Sequence, residues 1–166
     1  EDLLISIENN TLRIRKIAGK KYENQPKVRV VYTNITSIEA YAKADLDTRN
    51  LITTDSLSIV LKTGSRFYAD CDVKYLSADV SEGSLLKIEG YAVDQVISSS
   101  GKATFGGFEL EGETASVKAA RGGIIKLNIE KKIVGNSTST GYVSYKNSPQ
   151  VSVKTSMGGK LVKNED

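Results

Sequence analysis

The chain has 166 residues, and its 23 Lys plus Arg against 20 Asp plus Glu give a formal net charge of +3. This length suits one domain with a sizeable core. Because the charges nearly balance and the basic residues do not run in blocks, we do not expect nucleic acid as a partner.

The sequence contains no histidine and a single cysteine. The lack of histidine excludes Ser-His-Asp and Cys-His nucleophile systems, and zinc sites that need imidazole. Cys71 lies in the alternating run FYADCDV and can form no intrachain disulfide, so we expect a buried small apolar side chain. We predict no catalytic residue and no cofactor.

Nothing in the sequence indicates a membrane helix or a leader. No stretch reaches the roughly 18 consecutive apolar residues of a membrane span, and no signal peptide is recognisable. The chain opens directly on the strand pattern EDLLISIEN, which we interpret as a mature or truncated form.

The first 34 residues are predicted to form strands and a loop. Leu3–Glu8 and residues 11–17 both alternate between apolar and polar side chains. Asn9 and Asn10 stand between them, and because asparagine tolerates positive φ they predict a hairpin-like turn. Residues 27–32 alternate again and are predicted to form a further strand.

A repeat of about 19 residues begins at residue 35. The predicted turn positions are Asp45, Gly64, Gly83, Gly101, Gly122, Gly141 and Gly158. Before each turn, apolar or small residues alternate with polar ones, which indicates a strand with one inward and one outward face. Asp94 and Asn136 fall on inward positions and require partners or a local shift of register.

One such repeat cannot bury its own inward face, whereas stacked repeats can. We therefore predict an all-β fold, a right-handed parallel β-helix-like solenoid of about seven short coils over residues 35–166, after an N-terminal β-hairpin-like segment. Residues 1–166 are expected to form a single domain. The alternative is an antiparallel sandwich, which predicts no columns of equivalent residues.

Four stretches carry a family resemblance: DLLISIENNTLRI, KVRVVYTNITSIEAYAKADL, the coil stretch LSADVSEGSLLKIEG and GYVSYKNSPQVSVKTSMGGKLVK. Together they resemble the putative auto-transporter adhesin head GIN domain family of envelope proteins from Bacteroidetes-type bacteria. The most specific residues are Gly141, Tyr145, Asn147, Pro149 and the pair Gly158-Gly159. The resemblance implies a β-helix-like solenoid in the envelope of a Gram-negative bacterium, in the periplasm or on the surface, and brings no catalytic residues.

Two groups of carboxylates are candidate calcium ligands. The first comprises Asp70, Asp72, Asp79 and Glu82, and the second comprises Glu109, Glu111 and Glu113. Calcium requires six to eight convergent oxygens, whereas a row of glutamates on a solvated strand usually serves solubility. We assign no metal site, and calcium remains an alternative for both groups.

A candidate partner surface follows from the outward positions of the coils. It consists of Tyr41, Val60, Asp79, Ile97 and Lys118. A flat parallel face that exposes apolar residues beside serines suits a protein or a sugar. The alternative is that a loop, a neighbouring domain or a preceding segment covers this row.

These observations favour a non-enzymatic binding or adhesion module of the cell envelope, with a glycan or a protein on a cell surface as partner. A second hypothesis is structural self-assembly through the open ends of the solenoid. A third is a β-helix carbohydrate-active enzyme, for which compact coils leave little room for a cleft.

Overall fold

The computed structural model describes residues 3–164. The chain divides into two compact units, Glu1–Thr33 and Asn34–Asp166. This boundary lies beside the predicted one between residues 34 and 35, and the single-domain organisation stays a prediction.

The first unit contains an antiparallel hairpin of β1 (Leu3–Glu8) and β2 (Thr11–Lys16). Asn9 and Asn10 form its turn with φ of 49° and 59°, the left-handed pair that a type I′ turn requires. The predicted hairpin is therefore confirmed.

The prediction of a strand over residues 27–32 is wrong. Within the described part of the chain, this stretch belongs to neither sheet. Val28, Val30 and Tyr32 are all exposed, so the alternation buries no face. A strand needs a hydrogen-bonded neighbour, and the parallel sheet begins only later in the chain.

The second unit is a parallel β-solenoid. Its strands are β3 (Ser37–Ala40), β4 (Asp45–Asp47), β5 (Ile52–Leu61), β6 (Arg66–Ser81), β7 (Leu85–Ser100), β8 (Thr104–Ala120), β9 (Ile124–Thr138), β10 (Tyr142–Lys146), β11 (Gln150–Ser156) and β12 (Lys160–Lys163). They follow the order β12-β10-β9-β8-β7-β6-β5-β3, with β11 on β9 and β4 on β6. Each coil thus pairs with the next, which confirms the predicted solenoid.

Each long strand runs around most of one coil and bends at a corner. In β6, Phe67 and Val73 are buried, Lys74 and Tyr75 both point outward, and Leu76 is buried again. Two consecutive outward residues reverse the alternation, so they mark the corner between two faces of the solenoid.

The coils are closed by tight turns in which two consecutive residues are left-handed. Among the described residues these pairs are Ala42-Lys43, Thr63-Gly64, Glu82-Gly83, Gly101-Lys102, Arg121-Gly122, Ser139-Thr140 and Met157-Gly158. All fourteen φ angles lie between 49° and 76°, the pattern of a type I′ turn. Seven turns agree with the predicted number of coils.

Three predicted turn positions are wrong by one or two residues. Asp45 lies in β4, two residues after Lys43, and Gly141 follows the turn that ends at Thr140. Gly101 is the first residue of its turn, whereas the other predicted glycines are second. Alignment on glycine fails where Lys102 or Thr140 adopts the left-handed conformation in its place.

The corrected turns shift the register of two coils. Asp94 now points outward and accepts a hydrogen bond of 2.6 Å from Thr114 Oγ1, and Asn136 is exposed. The inward positions are taken by Gln95 and Gly135, which pair with Leu76 and Val117. A shift of register therefore moves both polar residues out of the core, where the sequence had placed them.

The core is a continuous column through the coils. Ser65, Ser84 and Ala103, which follow turns in the middle of the solenoid, are fully buried. One inward ladder consists of Phe67, Leu86, Phe105, Ile125 and Val143. Cys71 is also buried, with no exposed area, as predicted. No helix within residues 3–164 has the length and apolar character needed to span a bilayer.

Candidate functional site

The candidate site lies on the face formed by β3, β11 and the C-terminal parts of β5 to β9. We call it the serine face after its first outward column, which consists of Ser37, Ser58, Ser77, Val96, Ser116, Val134 and Ser152. The next outward column consists of Glu39, Val60, Asp79, Ser98, Lys118, Asn136 and Lys154. Parallel pairing places successive members about 4.8 Å apart, so both columns are regular rows.

Three of the five predicted surface residues lie in the second outward column. Val60 pairs with Asp79, and Ser98 connects Asp79 to Lys118. Tyr41 lies beyond the end of β3 and is 48% exposed. Its hydroxyl donates a 2.8 Å hydrogen bond to Glu39, the residue that occupies the column, and this bond raises the pKa of the tyrosine hydroxyl.

The prediction that Ile97 lies on this surface is wrong. Ile97 is 1% exposed and pairs with Ala78 and Val117 in the core. The outward position belongs to Ser98, which the sequence reasoning missed. Asp94 could have indicated this register. If its carboxylate faces outward, then Ser98, four residues later on the same strand, faces outward as well.

A depression of about 720 Å³ opens on the serine face beside the turns. It contains two of the predicted residues, Asp79 and Lys118. Its full lining is Lys62, Asp79, Ser81, Glu82, Ser98, Ser99, Ser100, Gly101, Lys118, Ala120 and Arg121. We call it the serine-face depression.

Hydrogen bonds between coils fix the rim of the serine-face depression. Thr63 Oγ1 donates to Glu82 Oε2 at 2.8 Å, and Arg121 Nη2 donates to Ser100 Oγ at 3.4 Å. Ser99 Oγ donates to the Ala103 carbonyl oxygen at 2.9 Å and is buried beneath it. Residues from four successive coils therefore form one continuous lining.

A family profile supports the sequence resemblance. The profile described as putative auto-transporter adhesin, head GIN domain, matches residues 1–149. The chain belongs to this family. The match includes Gly141, Tyr145, Asn147 and Pro149 and ends before Gly158-Gly159, and no curated protein matches the chain.

Two solved structures share the fold. A putative lipid binding protein from Parabacteroides distasonis is 14% identical with a TM-score of 0.71, and the alignment covers 99% of this chain and 79% of that one. A putative adhesin from Parabacteroides merdae is 13% identical with a TM-score of 0.61, over 99% and 78% of the two chains. At these identities the likeness establishes the fold.

The family residues near the C-terminus have structural roles in this solenoid. A Cβ atom on Gly141 would lie 2.5 Å from the Ala119 carbonyl oxygen, so only glycine fits under the neighbouring coil. Asn147 adopts φ of 67° and donates from Nδ2 to Asn128 Oδ1 at 2.7 Å. Tyr145 packs against the core. These residues shape a corner and lie outside the serine-face depression.

Of the two predicted carboxylate groups, the structure brings only Asp79 and Glu82 of the first group into one place, the serine-face depression. Asp79 lies on the serine face, whereas Asp70 and Asp72 pair with Glu89 and Tyr91 on the other side of the corner. In the second group, Glu113 forms an ion pair with Lys131, at 2.6 Å. Within the described residues, no group of three or more His, Cys, Asp or Glu could hold a metal ion.

A second, smaller depression of about 120 Å³ lies away from the serine face, beside the exposed ring of Tyr68. The Lys87–Glu89 ion pair, at 2.8 Å, occupies its wall. Its lining contains Asp70 from the first group of candidate calcium ligands and none of the five predicted surface residues.

Proposed function

We propose that the chain is a non-enzymatic binding or adhesion module of the bacterial cell envelope. The observation that carries the proposal is the serine face, on which outward side chains from successive coils stand in register. Six steps of about 4.8 Å make the face about 29 Å long. A surface of this kind presents rows of identical spacing to a repetitive or extended partner.

The rigidity of the face favours binding by display. Its inward side packs on Leu57, Leu76 and Ala115, which are 2% exposed or less. The outward serines are short and carry little rotamer entropy, so ordering them against a partner costs little. Membership of an adhesin family supports the same function.

The partner class that we propose is a glycan or a protein on a cell surface, met in the periplasm or outside a Gram-negative cell. A lipid is a further class to test, because one solved protein of the same fold carries the name of a lipid binding protein. The carbohydrate-active enzyme remains the weaker hypothesis because the family and both solved proteins of this fold carry the names of adhesins or a lipid binding protein.

The direct test is a binding screen of the purified domain against arrays of glycans, matrix proteins and lipid vesicles. Ser77→Arg and Ser116→Arg place bulky side chains on the serine face, and Thr53→Arg places one on an outward position elsewhere. We expect the first two variants to weaken binding at least about tenfold, with Thr53→Arg unaffected.

Two outcomes contradict the proposal. One is an absence of binding to every array at high micromolar concentration. The other is an equal loss of binding in Thr53→Arg, which would place the binding surface elsewhere on the solenoid.

A second candidate function is self-assembly, which the open end of the sheet favours. β12 is the last strand in the order and pairs only with β10 among the described strands. An unpaired parallel edge can accept a strand from another copy. Light scattering over a hundredfold range of concentration tests this, and a strict monomer throughout excludes it.

A further inference from the structure

The serine-face depression is surrounded by cations that lack ion-pair partners. On the second unit, Lys74, Lys87, Lys131 and Lys146 each form an ion pair with a carboxylate at 2.6–3.8 Å, and other lysines, such as Lys43 and Lys154, form none with a described residue. Around the depression, Lys62, Lys118 and Arg121 form no ion pair with any described residue. Three positive charges, Lys62 at the end of β5 and Lys118 and Arg121 at the end of β8, therefore face one solvent-filled space.

The depression also presents groups that bind neutral hydroxyls. Ser98 and Ser100 each supply a hydroxyl that can donate and accept. Asp79 and Glu82 are acceptors only, and Glu82 has one carboxylate oxygen held by Thr63 Oγ1 at 2.8 Å. A ligand that satisfies this lining needs both negative groups and hydroxyl donors.

We propose that the serine-face depression binds an acidic saccharide, meaning a sugar chain that bears carboxylate or sulfate groups. The inference rests on the proposed binding function of this same face and specifies its ligand. Lys118, Arg121 and Lys62 bind the anionic groups, while Asp79 and Glu82 accept hydrogen bonds from sugar hydroxyls. The volume of the depression, about 720 Å³, lies within the range of roughly 300–1,000 Å³ that small-molecule sites have.

The two carboxylates argue against a simple polyanion such as nucleic acid. The backbone of DNA offers acceptors and no hydroxyl donors, so Asp79 and Glu82 would repel it. The lining also contains no aromatic residue on which a base could stack. An acidic saccharide matches both the cations and the carboxylates.

Isothermal titration at low and at physiological salt tests the proposal. The probes are a heparin hexasaccharide, a hexamer of galacturonic acid, neutral maltohexaose and a short single-stranded DNA. We expect binding of at least one acidic sugar, weakening as salt rises, and none of maltohexaose. Lys118→Gln and Arg121→Gln should each weaken that binding about tenfold.

Lys154→Gln is the matched control, because Lys154 stands in the same outward column but outside the depression. It removes the same charge and should leave the affinity within about twofold. The direction in which Asp79→Ala changes the affinity decides between the two ligand classes. It weakens binding of an acidic saccharide, because an acceptor is lost, and it strengthens binding of a simple polyanion, because a repelling charge is lost.

The outcomes separate this inference from the proposed function. Binding of a neutral glycan or a protein without any acidic sugar overturns the inference and leaves the binding function in place. Acidic-sugar binding that Lys118→Gln and Lys154→Gln weaken equally, or that Asp79→Ala strengthens, also overturns it, as does equal affinity for the DNA. Absence of any ligand on the wider arrays overturns both.

Discussion

Gly90 lies directly against Cys71 of the preceding coil, so closely that a Cβ atom at Gly90 would be 2.2 Å from the Cys71 carbonyl oxygen. The two residues are Cα partners across β6 and β7. Gly90 also has φ of 104°, a conformation that L side chains rarely adopt. One position thus combines a backbone conformation that glycine adopts freely with close contact between coils.

We expect Gly90→Ala to destabilise the solenoid severely. The methyl group must either displace the Cys71 backbone or break the ladder between β6 and β7, so a loss of about 3 kcal/mol or more is expected. Guanidinium unfolding followed by circular dichroism measures it.

Gly83→Ala is the control, because Gly83 has φ of 70° but no atom within 4 Å of its added Cβ. It should cost only the left-handed strain, about 1–2 kcal/mol. Equal costs for the two substitutions would show that the contact with Cys71 is not the cause.

The Cys71 thiol is expected to be unreactive in the folded protein. Burial, then the charges of Asp72 and Asp70, raises the pKa of Cys71 from 9.0 to about 12. Because the thiolate is the nucleophile, iodoacetamide at pH 8 should leave the folded chain unmodified and label it in guanidinium. Labelling at equal rates in both states would contradict a buried thiol.

The same raised pKa of Cys71 predicts a loss of stability at alkaline pH. Above pH 9 the unfolded chain releases the thiol proton while the folded chain keeps it, so the free energy of unfolding falls as pH rises. Relative to Cys71→Ala, the parent chain should lose about 1.4 kcal/mol between pH 7 and pH 10. A constant difference between the two chains over this range would refute the shift.

Val96 and Ile97 provide a direct test of the corrected register. Ile97→Ala should cost about 2–5 kcal/mol, because the side chain is 1% exposed in the core. Val96→Ala should change stability by less than about 0.5 kcal/mol, because Val96 is 59% exposed. Thermal unfolding of the two variants decides between the registers, and the reverse order of costs would restore the predicted one.

These neighbours also show how far the sequence determines the fold. Alternation within a longer period predicts stacked coils, because only that arrangement buries every inward row, and the turn residues Asn9-Asn10 predict the hairpin. The register of single coils is less visible, because coil length varies. Ala40 pairs with Leu61, 21 residues later, whereas Thr138 pairs with Ser156, 18 residues later.

The serine-face depression was harder to predict than the face that contains it. Val60, Asp79 and Lys118 could be placed in one row from their distance to a turn. Arg121 could not, because it is a turn residue whose contact with Ser100 depends on a side-chain orientation between coils. That Lys62 and Lys118 form no ion pair with a described residue depends on side-chain orientations, which sequence spacing does not specify.

Ser99 and Ser137 occupy the same inward column, with Ala119 between them, and both are fully buried. Ser99 Oγ donates to the Ala103 carbonyl oxygen at 2.9 Å, whereas Ser137 Oγ has no hydrogen-bond partner among the described residues. Ser99→Ala should therefore cost about 1 kcal/mol, because a buried hydrogen bond is lost.

Ser137→Ala should instead be neutral or stabilise by up to about 1 kcal/mol, because it removes an unsatisfied buried hydroxyl. Ala119 shows that a methyl side chain fits between the two positions in this column. Parallel denaturation curves of both variants compare the two serines in matched surroundings. A similar cost for both substitutions would mean that Ser137 is hydrogen-bonded after all, and the solenoid interior at this end would then be more polar than the structure indicates.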